Sequence, residues 1–293
     1  SPDEIARLHL GDKHVTEVQI NAWKHDRGYD KPLLINTDES GIDVLKETIF
    51  FDKSVRLFVF DFGVSDSGRN IGYDIKQRMW PSLAIAIPSL LIGLLINISF
   101  ALLIAFFRAT YIDYWGVIFC VALMSISSLF YIIGGQFLVG KLLQIVPISG
   151  YDYGLSSIKF LVLPILISAI YGIGAGTRWY RTLFLEEISK DYVRTARAKG
   201  LSEKYILFHH VVRNALIPIF TVIGLSLATL VEGSFIAEGY FGIPGIGSLA
   251  IEAFFSRDYP IITALVLIIA SAFVIANLIV DIGYHFLDPR IRY

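Results

Sequence analysis

Five uncharged apolar segments are the feature that most limits how this chain can fold. Segments 81–107, 114–140, 160–177, 214–231 and 259–280 contain no Asp, Glu, Lys or Arg. About 20 apolar residues are enough for a helix to cross a bilayer. A backbone surrounded by lipid must satisfy its own hydrogen bonds, so each crossing segment has to be helical. The sequence therefore predicts an all-α, polytopic membrane protein with five transmembrane helices in this chain.

Composition agrees with a membrane protein and excludes several other classes. The chain is 55% hydrophobic and 17% charged, whereas a soluble domain has about 25% charged residues. A net charge of −1 gives no reason to expect a nucleic acid partner. The only cysteine, Cys120, lies in an apolar segment, which excludes an intrachain disulfide and a cysteine metal site. No metal ligand set and no catalytic constellation is expected.

Lys and Arg are distributed unevenly between the two sides of the predicted helices. Eleven lie in loop 108–113, in segment 178–213 and in the C-terminal tail, whereas three lie in the opposite loops. Short cytoplasmic loops are enriched in Lys and Arg. We therefore expect segment 178–213 and the C-terminus in the cytoplasm.

The same orientation places the first eighty residues outside the membrane. A polar segment of that length does not cross unaided, so we expect one further helix upstream of Ser1, and six helices in the natural subunit. The predicted regions are an extracytoplasmic segment, 1–80, a transmembrane domain, 81–285, and a cytoplasmic tail, 286–293.

The basic segment 186–213 has the pattern of two short helices joined at a glycine. Asp191 or Ser189 is suited to cap the first helix, and Gly200 to end it in the left-handed conformation. Ser202 is suited to cap the second helix. Such an elbow is a rigid knob on which a partner can dock.

Two details of this segment bear on what it contacts. The small residues Ala196 and Ala198 would let a partner approach the backbone closely, and Glu203 would lie near the positive end of the second helix dipole. An alternative is an amphipathic loop held to anionic lipid by the eight cations of segment 178–213, six of which lie in 186–213.

The same segment carries a family resemblance. Tyr192-Val-Arg-Thr-Ala-Arg-Ala-Lys-Gly200-Leu-Ser202, followed by Arg213-Asn-Ala-Leu-Ile-Pro218, resembles the EAA coupling loop of the peptide/nickel-type ABC importer permeases, of the dipeptide and oligopeptide "B" kind. Further similar pieces are Asp61-Phe-Gly63, Gly242-Ile-Pro-Gly-Ile-Gly247, Arg257-Asp-Tyr-Pro260 and Asp288-Pro-Arg-Ile-Arg-Tyr293. The glutamate that names the EAA motif is absent.

The resemblance implies a type I importer permease fold and a set of partners. These are a second, homologous permease subunit, two cytoplasmic ATPase subunits, an extracytoplasmic substrate-binding protein and membrane lipid. It implies that ATP-driven movement of the ATPases is passed to the helices through the coupling loop, and that the helices alternate between inward- and outward-open states. The residues that it assigns to ATPase coupling are Tyr192, Arg194, Thr195, Ala196, Arg197, Ala198, Lys199, Gly200, Leu201 and Ser202.

The last predicted loop between helices, 239–260, is expected at the outer mouth of the pathway. Its glycines and proline predict a tight turn that closes an outer gate or contacts the binding protein. The candidate residues are Gly242, Pro244, Gly245, Gly247, Arg257 and Asp258.

Glycine-rich stretches do not make this chain a nucleotide-binding protein. It has no G-x-x-x-x-G-K-[ST] phosphate loop, so we expect no cofactor on this chain, with ATP and Mg²⁺ on the partner subunits. Gly172-Ile-Gly-Ala-Gly176 lies inside an apolar segment with no strand before it, which favours close helix packing.

Polar residues inside the predicted helices are few. Asn97, Gln136 and Asn277 are candidates for the transport pathway, although hydrogen bonding between helices is the more common role of such residues. Carboxylates are nearly absent from the predicted membrane interior, which opposes the alternative of an ion-coupled secondary carrier. A membrane receptor or scaffold without transport is the other alternative.

Overall fold

The computed structural model describes residues 2–11, 15–37 and 41–287. Within these residues the regular elements are helices, with one isolated β-bridge between Val64 and Asn70. The prediction of an all-α fold is confirmed. The tail motif 288–293 lies outside the described residues, as does most of the predicted tail.

Fourteen α-helices are described. The first four are α1 (Pro2–Leu10), α2 (Glu17–Asp26), α3 (Asp43–Lys46) and α4 (Arg56–Phe58). The next five are α5 (Ile71–Phe106), α6 (Tyr111–Met124), α7 (Ser128–Gly135), α8 (Ile158–Ile188) and α9 (Asp191–Ala198). The last five are α10 (Glu203–Tyr205), α11 (Val212–Glu232), α12 (Phe235–Phe241), α13 (Ile246–Ser256) and α14 (Tyr259–Leu287). Turns of π-helix occupy Phe51–Val55, Gln136–Leu142 and Ile206–Val211.

The described chain forms two compact units. One comprises residues within 1–76 together with 252–267, and the other comprises 77–251 together with 268–293. The first unit therefore includes the end of α13 and the beginning of α14 as well as the N-terminal segment. The sequence placed the boundary of the N-terminal segment at residue 80, whereas α5 already begins at Ile71.

The first unit has a small core of its own. Ala6, Ile20 and Trp23 are buried between α1 and α2. The Arg27 guanidinium lies over the Trp23 ring, 4.7 Å from its centroid, and donates to the Asp66 carbonyl at 2.6 Å. These contacts show that the N-terminal segment is folded and helical where it is described.

Four helices of the described chain are long and apolar enough to cross a membrane. They are Ile71–Phe106, Gly154–Ile188, Glu203–Glu232 and Tyr259–His285. Only 22% to 33% of their most apolar windows is buried within this chain. Apolar surface left uncovered at this scale requires lipid or a further subunit around it.

The fifth predicted segment, 114–140, is helical but broken. α6 and α7 meet at an angle of 84°. The Ser125 hydroxyl donates to the Val121 carbonyl at 2.8 Å, and Ser127 is extended at the start of α7. Ser side chains that bond to the backbone compete with helix continuation, which accounts for the break.

Contacts with α8 trace the path of this broken helix. Near the start of α6, Asp113 accepts two hydrogen bonds from Arg181, at 2.8 and 2.9 Å. Further along, a Cβ at Gly174 would meet the Cys120 carbonyl, and one at Gly135 in α7 would meet Ile167. The contact point on α8 thus moves steadily from 181 to 167. A re-entrant loop would return toward 181, so the path of the pair along α8 agrees with the predicted fifth span.

Candidate functional site

The first helix of the predicted elbow ends at Gly200 as expected. Gly200 has φ +80°, and a Cβ there would meet no atom within 4 Å. Its N–H donates to the Arg197 carbonyl at 2.9 Å, and the Leu201 N–H to the Ala196 carbonyl at 3.3 Å. This pair of bonds is a Schellman motif, which satisfies the last carbonyls of α9. Glycine is needed here for its backbone conformation and not for lack of space.

The second helix begins at Ser202, also as expected. The Ser202 hydroxyl accepts the Tyr205 N–H at 3.4 Å. Glu203 lies in the first turn and receives two hydrogen bonds from the Arg197 guanidinium, at 2.7 and 3.2 Å. This partly exposed ion pair links the helices on either side of Gly200.

The inner face of the elbow is part of the core. Val193 and Ala196 are buried on α9 and pack in one cluster with Phe184, Ile206 and Val211. The prediction that Ala196 is open to a partner is therefore wrong, because its methyl group faces the core three residues after Val193. Of the two alanines, only Ala198 is exposed.

The start of α9 lacks the side-chain cap that the sequence predicted. Lys190 is the N-cap, with no side-chain cap bond, so neither Asp191 nor Ser189 caps the helix. Glu187, buried at the end of α8, instead accepts from the Tyr192 hydroxyl at 2.6 Å and from the Lys190 ammonium. Burial, and then the hydrogen bond to Glu187, raise the pKa of Tyr192 to about 12. Tyr192 therefore stays protonated and anchors α9 to α8.

The outer face of the elbow is exposed and mixes charge with apolar surface. We call these residues the elbow face: Asp191, Arg194, Thr195, Ala198, Lys199, Gly200, Leu201, Ser202, Lys204, Tyr205 and Phe208. Three of them are large apolar or aromatic residues, and Tyr205 and Phe208 are 45% and 59% exposed. A surface with exposed aromatic groups beside cations is suited to a protein partner.

The second candidate region is the turn 233–248, which is organised by a residue the sequence argument did not select. Glu238 on α12 is 1% exposed. Its Oε1 accepts from the Ser82 hydroxyl at 2.7 Å and the Ser234 N–H at 3.0 Å, and its Oε2 accepts from the Ser248 N–H at 3.0 Å. The Ser82 hydroxyl oxygen also accepts the Ile246 N–H at 2.7 Å. α5, the start of α12 and the start of α13 therefore meet at one carboxylate.

The predicted tight turn is present, and glycine is required at its positions for different reasons. Gly242 is left-handed, with φ +65°, and ends α12. A Cβ at Gly245 would lie 2.3 Å from Glu238 Oε2, and one at Gly247 would lie 2.7 Å from the Phe235 nitrogen. Pro244 is half-buried between them. Gly245 and Gly247 are thus required by space around Glu238.

Arg257 and Asp258 belong to the first unit and not to that turn. Arg257 is exposed and left-handed, with φ +58°, a conformation that costs a non-glycine residue energy. Its N–H donates to the Phe254 carbonyl, and the Asp258 N–H to the Ala253 carbonyl, which is a second Schellman motif. Buried Asp258 caps α14 by accepting the Ile261 N–H at 3.4 Å.

Two adjoining cavities in the second unit are lined by hydroxyl groups. The larger has a volume of about 560 Å³ and the smaller about 280 Å³. Both are lined by Ser89, Ser168 and Ser226. Ser82 lines the larger and Asn97 the smaller, and at a rise of about 1.5 Å per residue they lie about 22 Å apart along α5. The rest of both walls is mostly apolar, so the cavities together form a track with spaced hydroxyl groups along most of a bilayer thickness.

The three predicted pathway residues have three different surroundings. Asn97 lines the smaller cavity and accepts from the buried Thr177 hydroxyl at 3.2 Å. Gln136 donates to the Ile148 and Tyr240 carbonyls, so it joins segments and does not line either cavity. Asn277 is exposed on α14. Only Asn97 is placed as a pathway residue would be.

The expected close packing at the glycines of α8 is confirmed at two positions. Cβ atoms at Gly174 and Gly176 would lie 2.6 Å from the Cys120 carbonyl and 2.3 Å from Asn97 Nδ2. Gly172 has open space and lines the smaller cavity. Across residues 2–11, 15–37 and 41–287 there is no group of three His, Cys, Asp or Glu side chains placed to hold a metal ion.

Glu238 and the cavity serines are functional candidates that sequence reasoning missed. A lone carboxylate in the apolar stretch Phe235-Ile-Ala-Glu-Gly-Tyr-Phe241 was the available signal for Glu238. The serines gave none, because single hydroxyls are common in membrane helices and only the fold brings these together.

Helices of membrane length, an exposed helical elbow and a cavity track between the helices are typical of a polytopic membrane transport component. The chain belongs to the family described as binding-protein-dependent transport system inner membrane component, whose model matches residues 97–293. The resemblance stated from the sequence is thereby confirmed.

Relatives cover nearly the whole chain. It is 31% identical over 291 residues to a protein named "Probable peptide ABC transporter permease protein y4tP" of Sinorhizobium fredii, covering 95% of this chain and 86% of that protein. It is 32% identical over 297 residues to the glutathione transport system permease protein GsiC of Salmonella typhimurium, covering 100% of this chain and 90% of that protein.

Solved structures include a similar fold. A chain of the MetNI methionine ABC transporter, in inward-facing conformations, matches with a TM-score of 0.59 and 14% identity. The match covers 74% of this chain and 97% of that chain. This likeness supports the importer permease fold. The chain is a multi-pass membrane transport component and not an enzyme.

Proposed function

We propose that this chain forms half of the transmembrane pathway of an ABC importer for small peptides, and that solute passes along the hydroxyl-lined track. The observation that carries the proposal is the position of Tyr180. Its ring packs in the core of the elbow, in one cluster with Val193 and Ala196, and it also lines the smaller cavity. A force applied to the elbow face would therefore reach the wall of the track directly.

The partners follow from surfaces that this chain leaves uncovered. The elbow face is the proposed contact for a cytoplasmic ATPase subunit, which would bind the ATP and Mg²⁺ for which this sequence has no phosphate loop. The apolar sides of the spans, little buried within this chain, would contact lipid and a second permease subunit. A substrate-binding protein would deliver solute on the opposite side, and two ATPases would serve the pair of permeases.

Orientation is part of the proposal. The excess of Lys and Arg in segment 178–213 supports a cytoplasmic elbow and C-terminus, and an extracytoplasmic first unit. A cysteine at exposed Ser67 or at half-buried Ser248, in a Cys120→Ser background, should then react with an impermeant thiol reagent added outside cells, and one at exposed Ser202 should not. The reverse labelling would overturn this orientation.

The solute class is supported by the lining of the track and by the names of the relatives. Hydroxyl groups of Ser89 and Ser168 can both donate and accept, and that of Ser226, which donates to the Val222 carbonyl at 2.7 Å, can accept. Such a wall can hydrogen-bond the amide groups of many peptides without matching one sequence. Relatives are named for peptide and glutathione transport, so dipeptides and glutathione are the first solutes to test.

The experiment is transport by the complete complex in proteoliposomes. With its partner permease, ATPases and binding protein, the chain should import a labelled dipeptide or glutathione only when ATP and the binding protein are present. Uptake driven by a proton gradient without ATP would identify a secondary carrier instead. Solute binding without uptake under either condition would identify a receptor.

A further inference from the structure

Glu238 has surroundings that packing alone does not explain. Its side chain is almost fully buried, and both oxygens accept hydrogen bonds from described groups. The three donors are one hydroxyl and two backbone N–H groups, and none of them carries a charge. A carboxylate removed from water needs such donors, because each oxygen loses its hydration. The turn 233–248 supplies two of them and α5 supplies the third.

The bonds of Glu238 join parts of the chain that are distant in sequence. Ser82 lies on α5, 156 positions before Glu238. Ser82 also receives the Ile246 N–H, so it connects α5 to the start of α13 as well as to α12. If the carboxylate were removed, the Ser234 and Ser248 N–H groups would both lose their partner. The turn would then have little to hold it against α5.

The backbone comes unusually close to this carboxylate. Cβ atoms built at Gly233, Gly245 and Gly247 would lie 2.8, 2.3 and 3.0 Å from its oxygens. Three glycines around one side chain allow the turn to wrap it closely and to aim N–H groups at it. The turn is therefore shaped around the carboxylate.

Glu238 also lies at one end of the proposed track. The larger cavity is lined at this end by Ser82, Gly233, Ser234 and Glu238, and further along by Ser89 and Ser168. The same bonds that hold the turn to α5 thus hold the wall of the cavity at this end. In the proposed orientation this end faces outward.

We propose that Glu238 and Ser82 form the latch of the outer gate, and that the latch opens to admit solute to the track. The inference rests on the proposed transport function and assigns these two residues a positioning role within it. Uncharged donors suit a latch that opens in every cycle. Breaking a buried ion pair leaves an uncompensated charge. N–H and hydroxyl groups, in contrast, can form hydrogen bonds with water when the turn moves away from α5.

The test measures how open the track is. Ser168, on the wall of the larger cavity, is replaced by cysteine in a Cys120→Ser background, in the complete complex in proteoliposomes. The rate of labelling by an impermeant thiol reagent added on the Ser248 side is then compared among latch variants. Basal ATP hydrolysis without binding protein is measured in the same samples.

Glu238→Gln replaces one acceptor oxygen with a donor, which opposes one of the three donors around it. Labelling should rise about tenfold, the factor that corresponds to about 1.4 kcal/mol, and basal ATP hydrolysis should rise with it. Ser82→Ala should also raise both the labelling rate and basal ATP hydrolysis. Ser82→Thr, which keeps the hydroxyl, should stay near wild type. Ser248→Ala is the matched control, because it alters the same turn but keeps the backbone N–H that Glu238 accepts.

The outcomes separate the latch from the transport function. Unchanged labelling in both Glu238→Gln and Ser82→Ala would overturn the latch. So would reduced assembly without faster labelling, since that would make Glu238 a folding residue only. A wild-type complex that fails to import solute would overturn the proposed function instead, and the labelling comparison does not depend on that result.

Discussion

The elbow at Gly200 and the turn around Glu238 are both glycine-dependent, but for opposite reasons. Gly200 has a left-handed backbone and open space around it, since a Cβ there would meet no atom within 4 Å. Gly245 lacks a left-handed backbone and has almost no space, because Glu238 and Ser82 lie within 2.4 Å of where its Cβ would be. The outer face of the elbow is exposed, and such a face is suited to contact with another protein. The turn around buried Glu238 is crowded, and its contacts are made within this chain.

This difference teaches how the two regions should respond to change. At the elbow, substitutions should disturb the contact with a partner and leave the fold in place. At the turn, substitutions that add bulk should overlap Glu238 and lower the stability of the membrane domain itself. The predictions that follow test this separation, from the largest expected effect to the smallest.

Gly245→Val should cause the largest loss of stability. Three added carbons would overlap Glu238 and Ser82, and overpacking of this kind costs roughly 3 kcal/mol or more. Thermal unfolding of the detergent-purified protein, followed by tryptophan fluorescence, measures the loss. Gly134→Ala is the matched control, because a Cβ there meets no atom within 4 Å, and its unfolding temperature should not fall. Equal unfolding temperatures for the Val variant and wild type would contradict the crowded turn.

Gly200→Val should spare the fold and abolish transport. A β-branched residue in the left-handed conformation costs roughly 1–2 kcal/mol, which changes the angle of the elbow without touching the core. Uptake and ATPase co-purification are the readouts, with unfolding temperature as the check on folding. Gly200→Asn should retain most activity, since Asn tolerates this conformation. Normal uptake by the Val variant would contradict the coupling role and favour the alternative, in which the segment binds anionic lipid.

Arg257→Gly should stabilise the protein. Arg257 ends α13 with the same Schellman motif that Gly200 forms at the end of α9, but as a non-glycine residue with φ +58°. Glycine at this position should relieve about 1 kcal/mol, seen as a higher unfolding temperature. If Arg257 contacts the binding protein, the same variant should lose stimulation of ATP hydrolysis by that protein. A lower unfolding temperature would contradict the strain assigned to Arg257.

Tyr192→Phe should have the smallest effect, a loss of about 1 kcal/mol for one hydrogen bond to a carboxylate. Because the pKa of Tyr192 is raised to about 12, this contribution is fully present below the unfolded pKa of about 10. It is lost only as pH rises through about 12. The difference in unfolding free energy between Tyr and Phe proteins should therefore be constant from about pH 6 to about pH 9. A difference that disappears within this range would contradict the Tyr192–Glu187 bond.

The sequence predicted those features that depend on local pattern. Uncharged segments of membrane length located the spans, and the position of Gly200 between Ala198 and Ser202 located the elbow and its second cap. Local pattern could not show which face of α9 is buried, so Ala196 was misplaced. It could not show the break at Ser125, because serines also occur inside unbroken helices of this chain, as Ser226 does in α11.

Features that depend on contacts between distant segments were beyond the sequence. The role of Glu238 depends on hydrogen bonds from Ser82 and Ser248, which lie 156 and 10 positions away in the sequence. The hydroxyl track likewise needs α5, α8 and α11 to meet. Gln136 was named for the pathway on polarity alone, whereas its amide joins two backbone carbonyls.

The central claim is that the elbow face docks on an ATPase subunit, and two alanines test it directly. Cysteines are placed singly at exposed Ala198 and at buried Ala196, in a Cys120→Ser background, and each purified complex is treated with a short thiol cross-linker in the presence and absence of the ATPase. The account predicts that the cysteine at 198 cross-links to the ATPase, and is protected from labelling when the ATPase is bound, while the cysteine at 196 reacts in neither condition. Equal labelling of position 198 with and without the ATPase, and no cross-link, would contradict it.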